Sequence, residues 1–394
     1  MQQTIRRSDA WTMRVGRLLA VAALGAGVAL APTTALADDR WDDPSPHVEG
    51  FVATSAGRLH YLDWGGTGET VVLLAGLGNT AHVFDDFAPR LARSFRVVGL
   101  TRRGFGASAR PSSGYDTDTL ARDLAESLDA LGLERVHLVG HSVAGDEMTR
   151  FAGLHPDRVL SLVYLDAAYD RTAMRKALAM SLFTNPKPPS PPRPNGRNKV
   201  SVAAYSDYLA WVHGARWPEA EVRATGRFRS DGRYDGSTAG AQASARIVLG
   251  AKSPDYRAVQ APALALYATQ DTIETAYPWL AGGPRGNDAL LGAVAVLTRR
   301  SLPVPTLNAQ NWLTGRWLPF AERERERFLA GAADATVAEI RSPHYLFLAH
   351  PDEVASRVRA FLLAAATASR EEGSGSGSRS VCYRDAMTSA EALP

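Results

Sequence analysis

The chain has 394 residues, of which 45% are hydrophobic and 22% are charged, with 44 basic and 41 acidic side chains. This length and apolar content favour a globular protein with a substantial core, and the near balance of charge argues against a nucleic-acid partner. The one cysteine, Cys382, excludes an intramolecular disulfide and argues against a cysteine-based metal or catalytic site.

The first 37 residues have the composition of an export signal. Four arginines between Arg6 and Arg17 precede the apolar run 18–30, and Ala35-Leu36-Ala37 forms a small-residue cleavage site before Asp38. Because the apolar run is shorter than a membrane span, the pattern predicts a cleaved signal peptide at 1–37 and a secreted or periplasmic protein. A retained N-terminal anchor is the alternative.

Strand and helix patterns alternate in the first part of the core, residues 38–169. The predicted strands are 51–54 and 58–64, which form an antiparallel hairpin, followed by 70–74, 95–100, 133–139 and 159–165. The predicted helices are 83–94 and 117–131, with another after residue 142. This alternation predicts an α/β fold with a mostly parallel, doubly wound sheet wrapped by helices.

The alternation breaks at residues 170–258, where aromatic-rich helical stretches contain Trp211 and Trp217. These residues predict an inserted helical lid, although a disordered linker is the stronger interpretation of the proline-rich stretch 186–198. The second part of the core is predicted at 259–369, and a flexible Gly-Ser tail at 370–394. The predicted elements of this second part are strands 263–268 and 335–340, extra helices within 272–333, and a last helix at 353–365.

A serine lies between a predicted strand and a predicted helix. Gly140 and Ala144 flank Ser142 at minus two and plus two, which is the spacing of a nucleophile elbow. Bulky side chains at these positions would collide in such a strained turn. The following helix points its N-terminus at the serine, where aligned amides favour developing negative charge.

A serine hydroxyl needs a base to take its proton, and the base needs a carboxylate to orient it. The expected order along the chain is serine, acid, histidine. Asp271 and His344 both fall in loops that follow predicted strands, at the sheet edge where open α/β sheets bind ligands. Asp166, directly after strand 159–165, is the alternative acid, but Asp271 is preferred because it also follows a strong strand and precedes His344.

The chain resembles the α/β-hydrolase superfamily across roughly residues 50–365. The motifs that carry the resemblance are Leu-Ala-Gly-Leu at 74–77, Arg-Gly-Phe-Gly-Ala-Ser at 103–108, Gly-His-Ser-Val-Ala-Gly at 140–145, and a histidine seven residues before Pro351. The resemblance implies Ser142 as nucleophile, His344 as base and Asp271 as acid. It also implies an oxyanion hole formed by the backbone amides of Leu77 and Val143.

Two positions depart from the usual family pattern, and the residue at 142 narrows the choice within the family. Ala75 stands where the family usually has a histidine, and Thr101 stands where it usually has an aspartate. Both positions normally lie behind the reacting groups, so the implied mechanism is unaffected. A serine at 142 argues against haloalkane dehalogenases and typical epoxide hydrolases, which are known for an aspartate there.

The sequence therefore predicts a secreted serine hydrolase that cleaves an ester or related acyl bond of a small, apolar substrate. Hydrolysis of an amide, a lactone or a carbon–carbon bond remains open, as does a slow-turnover ligand receptor that has kept the triad. No cofactor is expected, and no zinc-ligand spacing, phosphate loop or dinucleotide motif is found. No metal site is expected.

Export can be tested directly. If the signal is cleaved, N-terminal sequencing of protein recovered from outside the cytoplasm should read from Asp38. Recovery of an exported, membrane-held chain that still begins at Met1 would instead identify a retained anchor.

Overall fold

The computed structural model of the chain describes residues 41–181, 189–239, 241–281 and 304–372. The predicted signal peptide at 1–37 and nearly all of the predicted tail lie outside the described residues, as do 282–303 of the segment expected to add helices. From Asp43 onward the described residues belong to one compact unit.

An eight-stranded sheet forms the centre of the described chain, with the order β1-β2-β4-β3-β5-β6-β9-β10. Its strands are β1 Val48–Thr54, β2 Gly57–Gly65, β3 Thr70–Leu74, β4 Arg96–Leu100, β5 Val136–His141, β6 Val159–Leu165, β9 Ala263–Ala268 and β10 Ala335–Ile340. The strand β2 pairs antiparallel with β1 and β4, and the other pairs are parallel. The predicted mostly parallel α/β sheet is confirmed.

The sheet is buried on both faces. In β3, Val71 and Leu73 pack into one hydrophobic cluster, whereas Val72 and Leu74 pack into the cluster on the opposite face. Both clusters are completed by helices, so neither face of this strand meets water. That environment explains why the central strands read as continuous apolar runs rather than as alternating patterns.

The helices cover both faces of the sheet. They are α1 Ala88–Leu91, α2 Thr117–Ala130, α3 Ala144–Leu154, α4 Arg171–Ser181, α5 Val202–His213, α6 Glu219–Thr225, α7 Ala241–Gly250, α8 Ile273–Ala276, α9 Pro278–Ala281, α10 Val304–Trp312, α11 Leu318–Gly331, α12 Leu346–Ala349 and α13 Pro351–Glu372. None of the helices in the described ranges has both the length and the apolar character needed to cross a bilayer.

Two predicted helices have different bounds in the structure. Instead of one helix at 83–94, a 3₁₀ turn at Ala81–Phe84 is followed by the short α1. Pro89 lies in the first turn of α1, where its missing N–H is tolerated, but it could not continue a helix from the preceding turn. The last helix, α13, is longer at both ends than the predicted 353–365.

The inserted segment, residues 170–258, contains the helices α4 to α7 as expected. It also contains a small hairpin that the sequence analysis missed, in which β7 Gly226–Phe228 pairs antiparallel with β8 Tyr234–Ser237. Stacking of Tyr205 on Tyr234, with ring centroids 3.8 Å apart, attaches this hairpin to α5. The segment is therefore a mixed helix and hairpin insertion.

Candidate active site

Ser142 occupies a strained turn between β5 and α3. Its φ of 54° is in the left-handed region, which non-glycine residues rarely adopt. A Cβ on Gly140 would lie 2.6 Å from the Met148 sulfur, and one on Gly145 would lie 2.2 Å from the Ala167 carbonyl oxygen. The backbone contact therefore requires glycine at 145, whereas a Cβ at 140 would require the flexible Met148 side chain to move. The turn places the serine at the cavity.

His344 lies in the loop between β10 and α12 and contacts a buried carboxylate. Its Nδ1 is 2.6 Å from Oδ2 of Asp166, whose side chain is 1% exposed. Because a carboxylate accepts, a neutral imidazole here has its proton on Nδ1, and its Nε2 then has a free lone pair. Both His344 and Ser142 line one cavity, so this tautomer leaves a basic nitrogen at the cavity that contains the serine.

The carboxylate that contacts His344 is Asp166 and not the predicted Asp271. Asp271 forms an ion pair with Arg341 at 3.0 Å, and both side chains are largely exposed, at 42% and 63%. The predicted contact between Asp271 and His344 is therefore wrong, and the alternative residue Asp166 occupies the place. The reason lies in the sheet order, because β6, which precedes Asp166, is the immediate neighbour of β5.

The backbone and side chain of Asp166 are both constrained. Its φ of 47° is also left-handed, and its Oδ1 accepts hydrogen bonds from the Tyr169 hydroxyl at 2.7 Å and the Ala268 backbone N–H at 3.2 Å. The other carboxylate oxygen, Oδ2, contacts His344 Nδ1. The carboxylate is thus fixed in one orientation by donors from two loops, the arrangement needed to hold a histidine ring in place.

The predicted oxyanion-hole residues are brought together. Leu77 packs against the hydrophobic cluster that contains Val143, so the loop after β3 lies beside the first residues of α3. Arg102 ties the same two elements, since it pairs with Glu147 of α3 and donates to the Ala75 carbonyl at 2.8 Å. An oxyanion hole formed by the backbone amides of Leu77 and Val143 stays a prediction.

His141, the residue before the serine, supports the predicted base. It is fully buried, its ring lies 4.5 Å from that of His344, and its Nε2 is 3.2 Å from the His344 carbonyl oxygen. Burial and then the nearby His344 lower the pKa of His141 well below its usual value. A neutral His141 donates from Nε2 and fixes the backbone of His344 without adding charge.

Glu221 connects the inserted segment to the loop after β3. This α6 carboxylate is 0% exposed and accepts hydrogen bonds from Asn79 Nδ2 at 2.9 Å and from the Thr80 N–H at 3.1 Å, with the Thr80 hydroxyl as a further donor. The Tyr345 hydroxyl donates to the other end of the Asn79 amide at 3.0 Å. Burial raises the pKa of Glu221 to about 7 despite these hydrogen bonds.

The cavity beside Ser142 has a volume of about 270 Å³ and mixed walls. Its two indole side chains are Trp279 and Trp317 from the second part of the core. The inserted segment contributes Val212 and His213, while Trp217 stacks behind His213 with ring centroids 4.9 Å apart. Both tryptophans of the cavity wall therefore come from the 272–333 segment, and Trp217 is not among the lining residues.

The charged groups near the cavity are paired. Arg171 lines it, but its guanidinium donates to Asp146 of α3 at 2.8 Å. Burial raises the pKa of Asp146 to about 6, and Arg171 opposes that shift. Burial also lowers the pKa of His213 to about 4, so this residue is a neutral wall at physiological pH.

The pKa of Glu221 predicts a pH-dependent stability. The folded chain keeps this proton to about pH 7 and the unfolded chain releases it near 4.5, so the free energy of unfolding should fall as pH rises from 5 to 8. Glu221→Gln should reduce that fall by about 2–4 kcal/mol. Urea unfolding at pH 5, 6.5 and 8 measures it.

The matched control for that measurement is Glu219→Gln. Glu219 lies on the same helix, is partly exposed and pairs with Arg223, so its replacement should leave the wild-type pH dependence intact. A Glu221→Gln protein with the wild-type slope would show that this carboxyl is ionised at neutral pH.

Comparisons with known proteins agree with this architecture. A fluoroacetate dehalogenase from Burkholderia sp. is 40% identical over 107 residues, which is 26% of this chain and 35% of the relative. An N-formylmaleamate deformylase from Pseudomonas putida is 35% identical over 118 residues, 30% of this chain and 44% of the relative. The chain thus spans less than half the length of these relatives.

The solved structure of E-2-(acetamidomethylene)succinate hydrolase is similar over 80% of this chain and 99% of its own, with a TM-score of 0.53 and 19% identity. At that identity the likeness concerns the fold. The sequence profile of the α/β-hydrolase fold matches residues 69–277, more than half of the chain and including Ser142 and Asp166. The chain belongs to the α/β-hydrolase fold family.

Proposed function

We propose that this chain is a serine hydrolase that cleaves an ester or a related acyl bond through an acyl-enzyme, with Ser142, His344 and Asp166 as its triad. The observation that carries the proposal is the hydrogen bond of 2.6 Å between His344 and buried Asp166, beside a cavity that Ser142 shares with the same histidine. The serine turn and the histidine are the features that the reaction needs.

In the proposed first half-reaction, His344 Nε2 takes the hydroxyl proton as Ser142 Oγ attacks the carbonyl carbon. Asp166 stabilises the imidazolium through Nδ1–H without itself taking the proton. The negative oxygen of the tetrahedral intermediate accepts hydrogen bonds from the backbone amides of Leu77 and Val143. As the intermediate collapses, the imidazolium protonates the leaving group, which departs.

The second half-reaction uses the same groups in reverse order. His344 takes a proton from water as the water oxygen attacks the acyl carbon bound to Ser142. Collapse of the second tetrahedral intermediate breaks the acyl bond to Ser142, and the imidazolium returns a proton to Oγ. The products are a carboxylic acid and the free enzyme, and no redox partner enters the cycle.

The cavity walls support an acyl substrate of modest size with an apolar portion. Trp279 and Trp317 offer flat apolar contact area, while Arg171 is already neutralised by Asp146. Serine at 142 supports acyl transfer over dehalogenation, because dehalogenases of this superfamily are known for an aspartate there. The deformylase among the relatives acts, by its name, on a formyl group, so amides belong in the substrate panel.

We also propose that the enzyme works outside the cytoplasm, on the strength of the N-terminal segment 1–37. The proposed partner is the small-molecule substrate alone, and neither nucleic acid nor a cofactor takes part in the proposed steps. The reaction as written uses only side chains and backbone groups of this chain and water.

The triad is tested by four single substitutions. Ser142→Ala and His344→Gln should each lower kcat on p-nitrophenyl esters by at least about 10⁴-fold, and Ser142→Ala should also abolish labelling by a fluorophosphonate probe. Asp166→Asn should lose about 10²–10⁴-fold because the His344 tautomer is no longer fixed. Asp271→Asn, which removes only an exposed pair with Arg341, should stay within about threefold of wild type.

Circular dichroism checks that each triad variant is folded. A crippled Asp271→Asn beside an active Asp166→Asn would reverse the proposed assignment of the acid. If wild-type protein is labelled by the probe but hydrolyses no ester, amide or lactone in the panel, the proposed activity is refuted in favour of a ligand receptor.

The aromatic wall predicts a role in selectivity. Trp279→Ala enlarges the cavity and should shift the preferred acyl chain of p-nitrophenyl esters by about two or more carbons toward longer chains. Trp211→Ala is the control, because Trp211 packs on Tyr208 within the inserted segment. Equal chain-length profiles for wild type and Trp279→Ala would show that this wall does not contact the acyl group.

A further inference from the structure

Two histidines and two aspartates converge at a place apart from the Ser142 cavity. Asp43 and His47 come from the segment before β1, and His82 and Asp85 come from the 3₁₀ turn after β3 and its end. Each residue offers one ligand atom, and these four atoms all lie within 4.8 Å of one another. These four residues are called the His–Asp cluster.

The distances within the His–Asp cluster are close to those of a coordination shell. His82 Nδ1 lies 2.9 Å from Asp85 Oδ2 and 3.4 Å from Asp43 Oδ2, and His47 Nδ1 lies 3.4 Å from Asp85 Oδ1. Nitrogen and oxygen ligands at 2.0–2.1 Å from a tetrahedral zinc ion stand about 3.3 Å apart. Two of these contacts are close to that spacing, and all four ligand atoms lie within 4.8 Å of one another.

Polar atoms of the His–Asp cluster lack hydrogen-bond partners among the described residues. They are Asp43 Oδ2, His47 Nδ1 and Asp85 Oδ1. The side chains of His47 and Asp85 are only 8% and 3% exposed, so water does not satisfy them freely. A buried polar atom without a hydrogen bond costs about 1–3 kcal/mol. The nearest charged groups to these atoms are other members of the cluster, at 3.4 Å.

From this geometry we propose that the His–Asp cluster is a structural binding site for a divalent transition-metal ion, with Zn²⁺ as the favoured occupant. Two imidazole nitrogens and two carboxylate oxygens suit zinc, and the two carboxylates neutralise its charge. The proposal departs from the sequence-based expectation of no metal site. It concerns folding and is independent of the proposed triad.

A proton shared between histidine and aspartate is the competing arrangement. In that arrangement His82 Nδ1 pairs with Asp85 Oδ2 at 2.9 Å, and His47 Nδ1 pairs with Asp85 Oδ1 at 3.4 Å. A proton on each histidine supports separate histidine–aspartate pairs, whereas one dication ligates all four side chains at once.

A neighbouring histidine, His60, stacks on His82 but is not one of the four ligands. Its Nδ1 is bonded to Thr101 Oγ1 at 2.9 Å, and its Nε2, which also lacks a hydrogen bond within the described chain, lies 3.2 Å from Glu49. Glu49 is 55% exposed and is not part of the cluster, which makes it a suitable control position.

A metal here would join two distant parts of the chain. The segment from Asp43 to His47 is already attached by Ser45, which accepts a hydrogen bond from Trp64 Nε1 at 3.0 Å and donates to the Asp85 carbonyl at 3.3 Å. The ion would strengthen this attachment and fix the 3₁₀ turn Ala81–Phe84, which follows the loop that contains Leu77. The expected effect is on stability first.

The test uses untagged full-chain protein, stripped with a chelator and then titrated with zinc chloride. Mass spectrometry of the dialysed protein should find one zinc per chain, and the Tm should rise by about 5 °C at zinc concentrations 100 times Kd. His47→Gln and Asp85→Asn should each weaken binding at least about 10²-fold and lose the Tm shift. Glu49→Gln should bind like wild type.

If the His47→Gln and Asp85→Asn proteins fail to fold, Asp43→Asn replaces them in the test, because Asp43 is the most exposed of the four residues, at 21%. It should also lose the Tm shift. Less than about 0.2 zinc per wild-type chain, or wild-type binding by every cluster variant that folds, would overturn the proposal. Ser142→Ala should bind zinc normally, so loss of the proposed activity and loss of the metal site are separately visible.

Discussion

The left-handed turns at Ser142 and Asp166 are the constraint on which the site depends. His141 pairs with Leu165 on the neighbouring parallel strand. Ser142 and Asp166 each follow one of these paired residues, and both have positive φ. Such backbone costs about 1–3 kcal/mol at each position and persists only where surrounding packing enforces it. The buried strands β5 and β6 supply that packing, which places a serine and a carboxylate side by side at the sheet edge.

The loop after β3 is held by polar contacts from elements that are far apart in sequence. Arg102 binds its carbonyl groups, Glu221 accepts from Asn79 and Thr80, and Tyr345 donates to Asn79. Hydrogen bonds from the charged Arg102 guanidinium are worth more than neutral ones, and loss of either partner of a buried hydrogen bond leaves the other unsatisfied. The inserted segment therefore fixes the position of backbone amides as well as contributing to the cavity wall.

Much of the fold and part of the site could be predicted from the sequence. The parallel sheet follows from continuous apolar runs, and Ser142 from the small residues around it. The acid could not be chosen by order alone, because Asp166 and Asp271 both follow strands and both precede His344. Choosing between them requires knowing that β6 lies beside β5, a long-range pairing that local pattern does not encode.

The His–Asp cluster shows a second limit of local pattern. Zinc motifs are recognised in sequence by closely spaced ligands, whereas His47 and His82 belong to separate segments that meet only when β1 and β2 pair and the turn after β3 packs beside them. The signal exists only in three dimensions, as nitrogen and oxygen ligand atoms from four side chains within 4.8 Å of one another. Buried polar atoms without hydrogen bonds are rare in native proteins, so their presence in this cluster supports the proposed metal site even though sequence spacing does not indicate one.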